Sequence, residues 1–250
     1  MTRHFELDGI ERFADRAESY ARARPSYPSA AIDYILSKAP RTPARLVDVG
    51  AGTGIATRLL AAKNGRAFGL DPGLTMLRAG IADARVALAA GTAERLPLRD
   101  GSVDLLTAFN AFHWFVPEPF FAGAHRVLAA GGRLVLAWND WDLDDPCTRD
   151  FMALMRSGGE FLPEDRATEV APLFGTKLFA EVETASFPNE HVLDAETLPL
   201  RLRSISWIPH EGPRWEALAE GLRALHARYA DADGRVTHRY RTNVYVAARA

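Results

Sequence analysis

Cysteine and lysine are nearly missing from this 250-residue chain. The single cysteine, Cys147, excludes an intrachain disulfide, a thiolate zinc cluster and a CxxC redox pair. Lysine occurs only at Lys38, Lys63 and Lys177, and arginine supplies the rest of the 30 cations, a pattern of coding bias rather than of chemistry. No run of about 18 apolar residues occurs, so no membrane span is expected. The opening stretch MTRHFELDGIERF lacks the apolar centre of a signal peptide. Neither sign of charge dominates: 30 Lys and Arg against 32 Asp and Glu leave −2 at pH 7, which argues against nucleic acid as a partner and against a basic membrane-facing surface. Internal repeats and low-complexity segments are absent. What is left is a cytoplasmic enzyme or binding protein, monomer or homodimer, with 48% apolar residues to build its core.

The apolar pattern divides the chain into three stretches of a single expected domain spanning 1–250. Residues 8–23 place Ile10, Phe13, Ala14, Ala17 and Tyr20 on one helical face, Pro25 and Pro28 end that helix, and 29–38 reads as a second. Residues 1–40 therefore read as helices outside the core. From 41 to 140 short apolar runs alternate with helical stretches: 46–49 then 53–63, 67–70 then 73–81, 85–89, 103–109 then 118–129, and 133–138. Runs apolar on both faces suit strands covered by helices on each side, so the alternation predicts a doubly wound, mostly parallel α/β sheet. Gly131 and Gly132 read as a helix stop feeding the last of these strands. Beyond 140 the alternation lapses. Helices are expected over 148–157, 163–174, 195–206 and 213–229, and strands over 180–187 and 237–249, so that 141–250 caps the sheet edge and adds its last two strands.

Chemistry concentrates where the first run meets the first helix, in Leu46-Val47-Asp48-Val49-Gly50-Ala51-Gly52-Thr53-Gly54. A glycine-rich strand-to-helix turn lets a ligand approach the backbone and the helix N-terminus. The dinucleotide fingerprint requires GxGxxG, but Ile55 stands where its third glycine belongs, which disfavours a nicotinamide-dependent oxidoreductase. Asp48 just ahead would be unwelcome beside a pyrophosphate, whereas it suits a ligand carrying ammonium and sulfonium charges. At the end of the second strand, Asp71 in Gly69-Leu70-Asp71-Pro72 can accept two ribose hydroxyls; equally, it can cap the helix starting at Gly73. After the third strand, polar groups of Gly91-Thr92-Ala93-Glu94-Arg95-Leu96-Pro97 can meet an adenine edge.

Taken in order, VDVGAGTG, GLDP, GTAERLPL, VDLLTAFNAFHWF and FFAGAHRVLAAGGRLVLAW resemble the class I S-adenosylmethionine-dependent methyltransferases over residues 45–138. YARARPSYP, AFHWF and YRTNVYV further resemble the small-molecule branch that includes trans-aconitate methyltransferase, of methyltransferase type 11 character. The resemblance implies a seven-stranded Rossmann-like sheet of order 3-2-1-4-5-7-6, with lid helices and S-adenosylmethionine as cofactor, S-adenosylhomocysteine being its product. It implies that Gly50, Ala51, Gly52 and Gly54 carry the methionine portion, with Asp48 supporting the turn or the amino group. Asp71 would take the ribose hydroxyls, Pro72 and Met76 would pack on the adenosine, and Ala93 and Glu94 would meet the adenine. Thr92 stands where many relatives have aspartate. Asn110 and Ala111 would line the amino and sulfonium side, while Tyr20 and Arg24 would fold over the cofactor, Arg24 towards the methionine carboxylate.

His113 and Trp114 follow the fourth strand, where doubly wound folds open their sites. His113 reads either as a general base for a hydroxyl or amine acceptor or, with Trp114, as a pocket wall. Asn110-Ala111-Phe112-His113 departs from the N-P-P-[FY] motif of amino-directed nucleic-acid methylation. Arg201, Arg203, Ser204 and Trp207 stand close together, as an acidic-substrate site or as an exposed helical face with one buried Trp; Arg203 and Trp207 are the acceptor candidates. Phe151, Met152 and Met155 read as core, Arg239 and Arg241 as a solvated face, and no metal is expected. The expected function is methyl transfer to an oxygen, less readily a nitrogen, of a small-molecule acceptor. The competing reading is a silent cofactor-binding regulator or partner protein.

Overall fold

The computed structural model describes residues 17–157, 166–205 and 208–250. Among these residues two helices come first, α1 (Ala17–Ala23) and α2 (Ser29–Ser37). The part of the first expected helix over 8–16 lies outside the described residues, as do 163–165 and 206 of two later ones. The alternating stretch folds as β1 (Leu46–Val49), α3 (Ile55–Asn64), β2 (Ala67–Asp71), α4 (Leu74–Arg78), β3 (Val86–Ala90) and β4 (Val103–Phe109). A 3₁₀ turn over Phe112–Trp114 leads into α5 (Pro117–Val127) and β5 (Leu128–Trp141). The remainder comprises α6 (Pro146–Ser157), α7 (Arg166–Gly175), β6 (Phe179–Leu193), α8 (Thr197–Arg203), α9 (Gly212–Tyr229) and β7 (Val236–Arg249).

All seven strands join one sheet of order β3-β2-β1-β4-β5-β7-β6, parallel from β3 to β5, with β7 antiparallel to both β5 and β6. Every residue of β1 and β4 is buried, as strands covered on both faces require. Alternation along β4 sends Leu106 to the side packed by Phe112 and Phe120, and Leu105 to the side packed by Ile32, Ile35 and Leu60. A third apolar group, with Phe151, Met152, Met155, Leu202 and Leu222, joins α6, α8 and α9 beyond the strand ends. The methionine-bearing helix face is thus core.

Helices α4 and α8 are shorter than expected, ending at Arg78 and Arg203, and two other boundaries change what the residues do. Helix α5 ends at Val127, and Gly131 and Gly132 lie inside β5, where the β4–β5 register shifts between Val103 and Leu105. The glycine pair therefore serves a bulge, with Gly131 at φ +74°, instead of stopping a helix. Strand β6 runs on through Pro188 to Leu193. It is an edge strand, where a proline costs no ladder hydrogen bond on the solvent side.

Candidate active site

The glycine turn is built by three left-handed residues, Gly50, Gly52 and Gly54, at φ +71°, +55° and +75°. Such a path is open to glycine at no steric cost and brings bare backbone to the surface of the sheet end. At Gly50 the space is closed as well: a Cβ there would sit 2.5 Å from the Cβ of Ala111. The amides of Gly50 and Ala51 both donate to the Leu70 carbonyl, which ties the turn to β2.

Asp71 completes the tie. One carboxylate oxygen accepts the Gly52 N–H at 2.8 Å and the other the Gly73 N–H at 2.7 Å. The capping role weighed from the sequence is thus present. Each oxygen keeps a further lone pair, so the two oxygens can also accept the hydroxyls of a ribose diol. Burial pushes the Asp71 carboxyl above its usual range. Met76, buried in α4, comes within 3.4 Å of where a Gly52 Cβ would stand, and Pro72 is half-buried beside Asp71.

Beneath the turn Asp48 is 1% exposed and accepts the hydroxyls of Thr57 at 2.7 Å and Thr107 at 2.9 Å. Burial pushes its carboxyl up to about 7, against the pull of those two hydrogen bonds. Near neutrality it is poised to ionise when positive charge arrives.

A cleft of about 400 Å³, partly open to solvent, lies against this turn. Tyr20, Arg24, Asp48, Gly50, Ala51 and Asn110 are among its walls. The Arg24 guanidinium lies 4.6 Å over the Tyr20 ring and donates from Nη2 to the Ser204 carbonyl at 2.9 Å. Helix α1 is thereby fastened to the chain that follows α8. Asn110 holds φ +48°, a conformation tolerated by asparagine. Its Oδ1 accepts the Asn139 N–H at 2.9 Å and its own N–H donates to the Ala137 carbonyl, fixing the end of β4 to β5. Not anticipated from the sequence are the further walls Pro25, Tyr27, Thr53 and Phe109. Tyr27 sits inside the YARARPSYP segment and meets the Phe109 ring edge-on at 4.7 Å. The prolines that bracket it, Pro25 and Pro28, are the signal that could have found it.

Other expected contacts lie outside these walls. Thr92 forms an isolated bridge with Arg95, and Ala93 is buried in the core. Glu94 Oε1 accepts the N–H of Val116 at 3.0 Å, capping α5. His113 Nδ1 accepts the indole N–H of Trp138 at 3.2 Å. Because an indole nitrogen only donates, a neutral His113 so held carries its proton on Nε2. Trp114 packs on the His113 ring with centroids 5.3 Å apart. Arg203 lies 4.5 Å over the ring of Trp215 in α9, whereas its neighbour Arg201 points into the interior. Trp207 lies outside the described residues. Cys147 is buried and its thiol is pushed up to about 12, which leaves it no nucleophilic character. Arg239 and Arg241 are exposed and pair with acids at the surface. Among the described residues no group of three or more His, Cys, Asp or Glu side chains is placed to hold a metal ion, and no helix is long and apolar enough to cross a membrane.

The methyltransferase domain family matches residues 47–136, from the first residues of β1 into β5. An uncharacterized methyltransferase of Mycobacterium tuberculosis is 43% identical over 184 residues, 72% of this chain and 73% of that protein. An uncharacterized methyltransferase-like protein of Schizosaccharomyces pombe is 29% identical over 204 residues, 80% of this chain and 79% of its own length. Among solved structures, a type II methyltransferase from Anaeromyxobacter dehalogenans aligns with TM-score 0.63 at 23% identity, over 90% of this chain and 97% of that one. The YcgJ protein of Bacillus subtilis aligns with TM-score 0.56 at 18% identity, over 89% and 99%. At those identities the two structures speak for the fold alone. With the glycine turn, the Asp71 carboxylate and the sheet order all in place, the chain belongs to the S-adenosylmethionine-dependent methyltransferases, and S-adenosylmethionine is its cofactor.

Proposed function

We propose that the protein transfers a methyl group to an oxygen of a small-molecule acceptor, within the small-molecule branch of the family. The observation that carries this reading is the state of His113. With its Nδ1 lone pair held by the Trp138 indole and its ring outside the cleft walls, the neutral imidazole keeps its proton on Nε2 and has no lone pair left to act as a base. An acceptor oxygen that arrives already ionised needs no base, whereas an amine or a neutral hydroxyl must shed a proton.

S-adenosylmethionine supplies an electrophilic methyl on a sulfonium centre. The protein's share is alignment: Gly50 to Gly54 and Asp71 fix the nucleoside, Arg24 and Tyr20 cover it, and Asp48 answers its positive charge. Holding donor and acceptor at attack distance in a site walled by aromatic rings supplies most of what an in-line displacement requires.

The test is transfer of tritium from methyl-labelled S-adenosylmethionine into a fractionated small-metabolite extract, beside calorimetry with S-adenosylhomocysteine and NAD. The expected result is binding of the nucleoside thioether, none of NAD, and label in a base-labile or ether product. Tight binding with no transfer to any fraction would favour the silent cofactor-binding protein instead.

A further inference from the structure

Past the cleft, where β5 and β6 end and β7 begins, lies a polar group that the packing does not explain. Arg201 in α8 is only 2% exposed, and no carboxylate among the described residues pairs with it. Its Nη1 donates to Ser204 Oγ at 3.2 Å, its Nη2 to the Tyr240 hydroxyl at 3.5 Å, and its guanidinium lies 4.9 Å from the Trp141 ring centre. Its Nε has no partner among the described residues. Arginine stays protonated in proteins, and a buried charge lacking its counter-charge is strongly penalised.

Beside it, His191 and His238 stand opposite each other in the β6–β7 ladder. Nδ1 of His191 and both ring nitrogens of His238, itself 0% exposed, are also without partners among the described residues. Burial first, then the Arg201 charge, pushes both imidazoles down to about 3, so both are neutral and each can offer one N–H. Buried polar atoms in native proteins are almost always satisfied. Among the described residues, four unsatisfied nitrogens around one cation without a counter-charge describe a seat for an anion. Ser204 joins that seat to the cofactor cleft, since its hydroxyl takes Arg201 while its carbonyl takes Arg24.

Resting on the methyltransferase reading above, we propose that this cluster seats a carboxylate of the methyl acceptor, with Arg201 as its counter-charge and His191 and His238 as flanking donors. A guanidinium edge matches a carboxylate with two parallel hydrogen bonds. The rings around it pack tilted against one another, Trp141 and Tyr240 with centroids 4.6 Å apart and Phe151 and His238 at 4.2 Å, which leaves room for a small group such as a carboxylate more readily than for a bulkier phosphate.

The test is calorimetric titration of the full chain, with and without saturating S-adenosylhomocysteine, using benzoate, cinnamate, phenyl phosphate and benzyl alcohol. At least one carboxylate should bind and the alcohol should not. Arg201→Met should keep the wild-type affinity for S-adenosylhomocysteine and a melting temperature at least as high, because a buried unpaired charge has been removed. It should weaken the carboxylate by about tenfold or more. His238→Phe should show the same loss, which keeps the seat testable if Arg201→Met does not fold. No carboxylate binding to the wild type, undiminished binding by the variants, or preference for phenyl phosphate would overturn the proposal. Failure of S-adenosylhomocysteine to bind would count against the methyltransferase reading alone, because the titration without it still reads the seat.

Discussion

Two aspartates at the glycine turn, Asp48 fully buried and Asp71 half-buried, carry different duties. Asp71 fixes backbone: Asp71→Ala removes the acceptor for the Gly52 and Gly73 amides and, on the proposed reading, the ribose contact with it. Affinity for S-adenosylhomocysteine should fall by about 1–3 kcal/mol, the scale of lost charge-assisted hydrogen bonds, and calorimetry showing no change would place the ribose elsewhere. Asp48 is a titrating group. Its carboxyl is raised from 3.8 to about 7 on folding, so between those values the folded chain holds a proton that the unfolded chain has released. The contribution to stability is complete below about pH 4 and is lost as pH climbs through about 7. Urea unfolding across that range should show wild-type stability falling with pH more steeply than that of Asp48→Asn, whose amide keeps both threonine partners. Parallel slopes would mean that Asp48 is ionised throughout.

At the scale of elements, the site depends on how each strand end is tied to the next helix. Glu94 reaches from the segment after β3 to the amide that precedes α5, an acceptor for a donor the helix itself cannot satisfy. Glu94→Ala should lower stability to urea by about 0.5–1.5 kcal/mol, and a neutral result would mean that water serves the Val116 amide equally well. Helix α1 is tied in the same manner, through Arg24 to the carbonyl after α8. The covering of the cleft is therefore bonded to the C-terminal helices.

For the whole molecule the decisive layer is the middle of the sheet. Leu136 in β5 is fully buried, paired with Tyr245 of β7 on one side and with Ala108 of β4 on the other. Leu136→Ala should cost about 2–5 kcal/mol, read as a lower urea midpoint with unchanged slope. Because β5 joins the parallel half to the antiparallel half, cofactor binding and C-terminal packing should be lost in one transition; two separate transitions would refute that coupling.

Strand and helix positions were largely legible because local apolar period and glycine placement decide them; β1 and β4 lie where their runs predict. So was the turn at Gly50 to Gly54, since only its residue types permit that path. The sequence also carried the family, through ordered motifs. Tertiary structure alone decided the rest. Whether Arg201 or Arg203 turns inward depends on which side of α8 meets the sheet. Whether His113 has a lone pair to use depends on an indole 25 residues away. Side chains distant in sequence share charge and protons only once the chain has brought them together, and no local pattern records that meeting.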